Sequence, residues 1–311
     1  TADVPAAAFE DVDRRIFAPF IERLTAKARA VDINWPDIHR GSVGPFIFAD
    51  IFGPDDYAAG TGSDIDAHPH LGLSTLSYLF AGELFHRDST GAVSDIAPGD
   101  VNWMTAGSGV CHTERTPAEV RRAAHTLAGL QTWVALPVED ERSSPSFDHA
   151  DAADIPRHQG PGLTIAVAAG SGWGMHSPVR GSSPLLEAEI LLDDMAVTIP
   201  TDHRERALIA ISGDLSVAGQ RLAPAHAAVL APGETVELHG TGRAMMLAGD
   251  PVGDRFIWWN FVASDRDLIE QAKRDWDAQR FPLIPQDHDV WIEAPPLLPG
   301  GGNAVAKAPP L

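Results

Sequence analysis

From position 31 to 262 the chain is written in short apolar runs broken by glycine, proline and acidic residues. That pattern predicts strands joined by turns almost throughout. GPFIFADIF (44–52) reads as a buried strand, and residues 76–80 and 83–86 read as a hairpin around Ala81-Gly82. VNWMT (101–105) follows the turn Pro98-Gly99-Asp100, and AGLQTWVAL (128–136) is a further strand stopped by Pro137. PVEDERSSPSFDHADAADIPR (137–157) is polar and rich in turn residues, so it reads as a linker. Beyond it, LEAEILLDD (186–194) alternates apolar and acidic positions, the signature of a half-buried strand.

The two halves repeat one another. LFAGELFHRDSTGAVSDIAPGDVNWM (79–104) and AISGDLSVAGQRLAPAHAAVLAPGETVELHG (210–240) share a scheme. Each reads strand, Gly-acidic turn, strand, loop, strand, Pro-Gly-acidic turn. Such a repeat predicts two similar β-domains in tandem. The pattern then changes to SDRDLIEQAKRDWDAQRF (264–281), a helix with Ser264 at its N-cap and Asp265 and Asp267 in its first turn. Leu268, Ile269, Ala272, Trp276 and Gln279 follow helical spacing, and the apolar part of that stripe is expected to pack on a β-domain as a clasp. The tail after Glu293 is rich in proline and glycine and reads as extended or disordered.

Composition narrows the function classes. The formal net charge is -20 with basic residues scattered, which disfavours direct nucleic-acid binding. No apolar stretch is long enough to cross a bilayer, and no signal peptide is visible at the start. Cys111 is the single cysteine, so no intramolecular disulfide can form. These features fit a cytoplasmic protein.

Chemistry concentrates in two short pieces. In His68-Pro69-His70 the histidines are two residues apart, so on a strand both point to one face. His112 and Glu114 repeat that spacing. If the strands pair antiparallel, three imidazoles and a carboxylate meet at one interior spot. That donor set suits Fe(II), Mn(II), Ni(II), Cu(II) or Zn(II) and leaves positions open on an octahedral ion. His86 and His125 read as lone structural or surface histidines, and Cys111, beside His112, should point away from the interior. Gln131 and Trp133 share a strand face that could line the first barrel.

The chain resembles the pirin family of bicupins. The resemblance is carried by Gly62 with His68-Pro69-His70, by LFAGELFHRDS (79–89), IAPGDVNWMTAGSGVCHTE (96–114) and GLQTWVALP (129–137), and by the ending GDPVGDRFIWWNFVASDRDLIEQAKRDW (249–276). It spans about residues 14–281. It implies an all-β chain of two tandem cupin-type, jelly-roll-like β-barrels with a C-terminal helix. The expected division is an N-terminal arm (1–30), a metal-binding barrel (31–145), a metal-free barrel (146–262), and the helix with its tail (263–311). The resemblance also implies iron in the first barrel, held by His68, His70, His112 and Glu114. Where the family has Arg, Phe and Glu in HPHRGFET, this chain has Leu71, Leu73 and Ser74, placed by this reading at the pocket rim. In the second half, Ile199 and Thr201 stand where the repeat aligns His68 and His70.

Two functions follow from the resemblance. One is a quercetin 2,3-dioxygenase-like enzyme that cleaves a flavonol or related diol, with Glu114 as both ligand and catalytic base. The other is an iron-dependent interaction protein, binding transcription factors as eukaryotic pirins do or metabolic enzymes as bacterial ones do.

Overall fold

The computed structural model describes residues 42–294 and 306–307; the expected N-terminal arm and most of the C-terminal tail lie outside the described residues. The chain divides into two compact units. The first comprises Phe52–Ala152 with the described part of Gly253–Pro310, and the second the described part of Asp11–Ile51 with Ala153–Val252.

In the first unit, strands run in order: β1 (Phe46–Tyr57, whose start belongs to the second unit), β2 (Asp64–His70), β3 (Leu73–Ala81), β4 (Leu84–Asp88), β5 (Val93–Ile96), β6 (Val101–Thr105), β7 (Val110–Arg115), β8 (His125–Ala135) and β9 (Ser146–Ala150). They form two sheets, ordered β1-β8-β3-β6-β9 and β2-β7-β4-β5, each strand antiparallel to its neighbours where their registers are known. Two facing sheets of this kind bury the inner side of every strand.

The second unit contains β10 (Arg157–Gly160), β11 (Leu163–Gly172), β12 (Met175–His176), β13 (Leu185–Thr198), β14 (Glu205–Val217), β15 (Gln220–Leu222), β16 (His226–Leu230) and β17 (Glu237–Gly249). Its main sheet runs β10-β11-β13-β17-β14-β15. The interior is apolar, with Ile165, Ile190, Leu208, Leu215, Leu238 and Met246 among its buried residues, and Ile199 belongs to the same core.

The expected hairpin at Ala81-Gly82 is a corner instead. β3 pairs with β6 and β8, whereas β4 pairs with β5 and β7, so the chain changes sheet at Gly82. Gly82 has φ +79°, and a Cβ there would sit 2.4 Å from the Thr126 carbonyl oxygen. Only glycine fits so close an approach. In the second unit β14 continues through the matching Gly213, φ +92°, which presses on the Thr241 carbonyl in the same way. The Pro-Gly-acidic turns also match, since Asp100 N–H donates to the Ala97 carbonyl and Glu234 N–H to that of Ala231.

Three further readings are corrected. The expected linker holds β9, which pairs with β6, and it holds the buried Glu141. The two compact units divide at Ala152/Ala153 and Val252/Gly253. In LEAEILLDD both Glu187 and Glu189 are buried, and Glu189 reaches Arg243 at 2.9 Å, so a charge partner makes burial of that carboxylate affordable. The helix, α1 (Arg266–Asp277), is capped by Asp265, whose side chain accepts from the Asp267 N–H. Ser264 is drawn elsewhere: its N–H and hydroxyl both donate to Glu141, at 2.8 and 2.7 Å. Gln279 lies past the helix end.

β18 (Phe256–Trp258) and β19 (Phe261–Ala263) precede α1, and β20 (Ala306–Lys307) pairs with β18. Ile269 and Ala272 of the helix join Phe261, Phe281, Ala67, Leu71 and Cys111 in one apolar cluster. Lys273 places its ammonium 4.4 Å from the Trp258 ring centre. The helix is thus a clasp on the first unit. Nearby, Arg255 pairs with Glu141 at 2.7 Å and donates to the Leu136 carbonyl. Burial lowers the Arg255 pKa from its ordinary value, and Glu141 opposes that shift.

Removing one partner of such a pair leaves a buried charge uncompensated. Glu141→Ala should therefore destabilise the protein by about 3–5 kcal/mol, read from the chemical-denaturation midpoint, whereas Glu141→Gln should cost less. Equal midpoints for wild type and Glu141→Ala would refute this account.

Candidate metal centre

The site is built on three adjacent strands. In register, His68 on β2 faces His112 on β7, Pro69 faces Cys111, and His70 faces Val110. On the other side of β7, His86 of β4 faces Glu114 and Asp88 faces His112. Alternation then puts His68, His70, His112, Glu114, His86 and Asp88 on one side of this sheet. All six are buried. A register shift in β2 between Ile65 and His68 marks a bulge, a device that re-aims side chains. Its Asp66 carbonyl lies 2.8 Å from His68 Nδ1. A carbonyl only accepts, so Nδ1 carries the hydrogen and the Nε2 of a neutral His68 ring presents a lone pair.

His68, His70 and His112 offer ligand atoms within 4.8 Å of one another. The Nε2 atoms of His70 and His112 are 3.1 Å apart. Two nitrogen donors ~2.1 Å from a shared cation, at right angles, would sit ~3.0 Å apart. His70 Nδ1 is buried without a hydrogen-bond partner. Burial lowers the pKa of all three imidazoles, and mutual repulsion with neighbouring histidines, His86 included, pushes His70 and His112 down further. They are held neutral, the form that binds a metal.

Glu114 stands beside His112, in a second group with His86 and His112. Its carboxylate accepts from Ser77 at 3.2 Å and from Gln131 at 3.2 and 3.1 Å. Ser77 and Gln131 are register partners on β3 and β8 of the opposite sheet. Trp133, two residues along β8, meets His70 edge-on at 5.4 Å. The shared face of Gln131 and Trp133 therefore does line this interior.

Both sequence models of the family fit the chain: pirin matches residues 27–134, and the pirin C-terminal cupin domain matches residues 189–282. The chain belongs to the pirin family. It is 45% identical over 259 residues to a pirin-like protein of Caulobacter vibrioides, covering 81% of this chain and 90% of that one. Human pirin is 32% identical over 235 residues, covering 71% and 79%. A crystal structure of quercetin 2,3-dioxygenase from Acinetobacter baumannii superposes with a TM-score of 0.77 at 32% identity, covering 85% of this chain and 89% of that one. The pirin assignment makes both units cupin domains, and the histidine–glutamate cluster lies in the first.

His86 is not the lone histidine that its place in the sequence suggests. It packs against Phe147 with ring centres 4.5 Å apart and contacts both Asp88 and His112. The signal was available: Leu84, His86 and Asp88 alternate on β4 with the buried positions. His125 is elsewhere, stacked on Tyr57. Cys111 faces the α1 cluster, and burial pushes its thiol up to about 12. The rim reading of Leu71 and Ser74 also changes. Leu71 packs into the α1 cluster, away from the histidines, and Ser74 bonds Thr105 on the face opposite Ser77. Among the described residues, no helix is long and apolar enough to cross a membrane.

The outer face of β7 is anchored too. Asp287 accepts from Thr113 at 2.8 Å and from Arg115 at 3.0 and 2.9 Å. Arg115 holds the Asp287 carboxyl below its ordinary pKa. A depressed carboxyl stabilises above its unfolded pKa, and the contribution is lost as pH falls through the folded value. Asp287→Asn should therefore lower stability by about 1–2 kcal/mol at pH 7. The gap should close below about pH 4 as the wild-type carboxyl protonates. Thermal melts of both proteins across that range provide the check; a gap that persists in acid would contradict it.

Proposed function

We propose that this chain is a metal-dependent dioxygenase that opens the ring of a flavonol or related diol. His68, His70, His112 and Glu114 would hold one divalent transition metal, Fe(II) by the family resemblance; the donor set also accepts Mn, Ni, Cu or Zn. The observation that carries the reading is the convergence of three buried, neutral imidazoles, with two Nε2 atoms 3.1 Å apart. Its likeness to the Acinetobacter baumannii quercetin 2,3-dioxygenase, at 32% identity over 85% of this chain, supports the substrate class.

When bound, the metal would supply Lewis acidity and a path for electrons between an enediol-type substrate and dioxygen. The protein contributes position and proton handling. The Asp66 carbonyl orients His68. Trp133 packs against His70 and keeps water from that side. Ser77 and Gln131 hold the Glu114 carboxylate, whose oxygens can accept the proton of a substrate hydroxyl.

Protein purified without chelators and reconstituted with Fe(II) should hold an equimolar amount of metal by elemental analysis, and His70→Ala should lose most of it. The loaded wild type should consume oxygen with quercetin, and His70→Ala should not. A wild type that cannot be loaded sinks the metal site. A loaded wild type that consumes no oxygen with quercetin or a panel of other diols sinks the substrate assignment.

A further inference from the structure

Behind His112, on the side away from His70, lies a second set of polar contacts. His112 Nδ1 is 3.4 Å from His86 Nδ1. His86 Nε2 is 3.1 Å from Asp88 Oδ2. Asp88 is fully buried, and its Oδ1 accepts from the Thr90 N–H at 2.8 Å, the Thr90 hydroxyl at 2.6 Å and the Ala92 N–H at 3.2 Å. Four donors thus converge on this side chain, a surrounding that suits a carboxylate. The sandwich with Phe147 and the register of β4 on β7 hold the His86 ring in place.

Hydrogen placement along this chain is constrained. A carboxylate only accepts, so His86 must donate from Nε2. A neutral imidazole that donates from Nε2 is bare at Nδ1, and a nitrogen–nitrogen contact needs one hydrogen between the two atoms. With His86 neutral, that hydrogen belongs to His112 Nδ1. His112 Nε2 is left with its lone pair directed at the point where His70 also aims.

We propose that His86 and Asp88 are positioning residues: a carboxylate–imidazole relay that fixes His112 in the Nδ1–H tautomer and aims its Nε2 at the metal. This rests on the metal reading of the site given above. Partners of this kind behind a ligating histidine tune metal affinity by 10–100-fold. The relay also accounts for a buried histidine–aspartate pair that the proposed reaction itself does not use.

The test separates the relay from the site. In metal-free wild type, nitrogen-15 NMR of the histidine rings, with His112 assigned by its loss in His112→Gln, should show hydrogen on Nδ1. Ni(II) affinity is then measured by competition with a chromophoric chelator. His86→Phe keeps the stack on Phe147 but removes the acceptor, and it should weaken Ni(II) binding about 10–100-fold. His86→Asn, whose amide oxygen can stand in for Nδ1, should recover most of that loss and guards against a folding artefact. The relay is overturned if His112 carries its hydrogen on Nε2 in the wild type, or if His86→Phe binds Ni(II) as tightly as wild type. A wild type that binds no Ni(II) but shows the Nδ1–H tautomer would overturn the metal role and leave the hydrogen-bond chain standing.

Discussion

Four imidazoles, His112 among them, and two carboxylates are taken out of water within a few ångströms, and much of the first unit's design answers that cost. A buried polar group without a partner is expensive, and a buried charge more so. Most members are therefore tied from behind. His68 is tied to a bulge carbonyl, Glu114 to Ser77 and Gln131, and His86 to Asp88, which is in turn held by a tight turn. What stays unpaired is the buried Nδ1 of His70.

β7 is held on both faces. Its inner face supplies His112 and Glu114, and its outer face supplies Cys111, Thr113 and Arg115. The outer positions are held by the cluster around α1 and by Asp287. A strand fixed on both faces cannot slip by one residue, and a slip of one would turn His112 and Glu114 outward. The C-terminal segment of the chain thereby supports chemistry that lies far from it in sequence.

Much of this was legible from spacing. His68/His70 and His112/Glu114 sit two apart, and period two is a strand rule that needs no tertiary knowledge. His86 escaped because it was weighed alone. Its partner Asp88 was also two residues away, but the pair lies in a segment read as half of a hairpin. That reading failed for a physical reason. A Gly-acidic step between two apolar runs looks the same whether the strands fold back on each other or pass into different sheets. The choice is made by tertiary pairing, since β3 joins β6 and β8 whereas β4 joins β5 and β7. The supposed linker misled in the same way: its composition is that of a loop, yet Glu141 is needed inside by Arg255 and Ser264.

The internal repeat shows how one scaffold supports two outcomes. Both units keep the pinched glycine, Gly82 or Gly213, and the Pro-Gly-acidic turn closed by the same backbone bond. They differ in what fills the space between. In the second unit Ile199, which the spacing of the repeat aligns with His68, joins Leu208, Leu238 and Met246 in a core with the dispersion contacts of ordinary packing. In the first unit the matching volume holds imidazoles, which pack less well without a partner and are individually costly to bury. The close glycine approach and the turn are shared because they satisfy the backbone, whatever the side chains do. Among the described residues the buried histidine cluster lies in the first unit, where the three neighbouring strands β2, β7 and β4 each contribute a same-face polar pair.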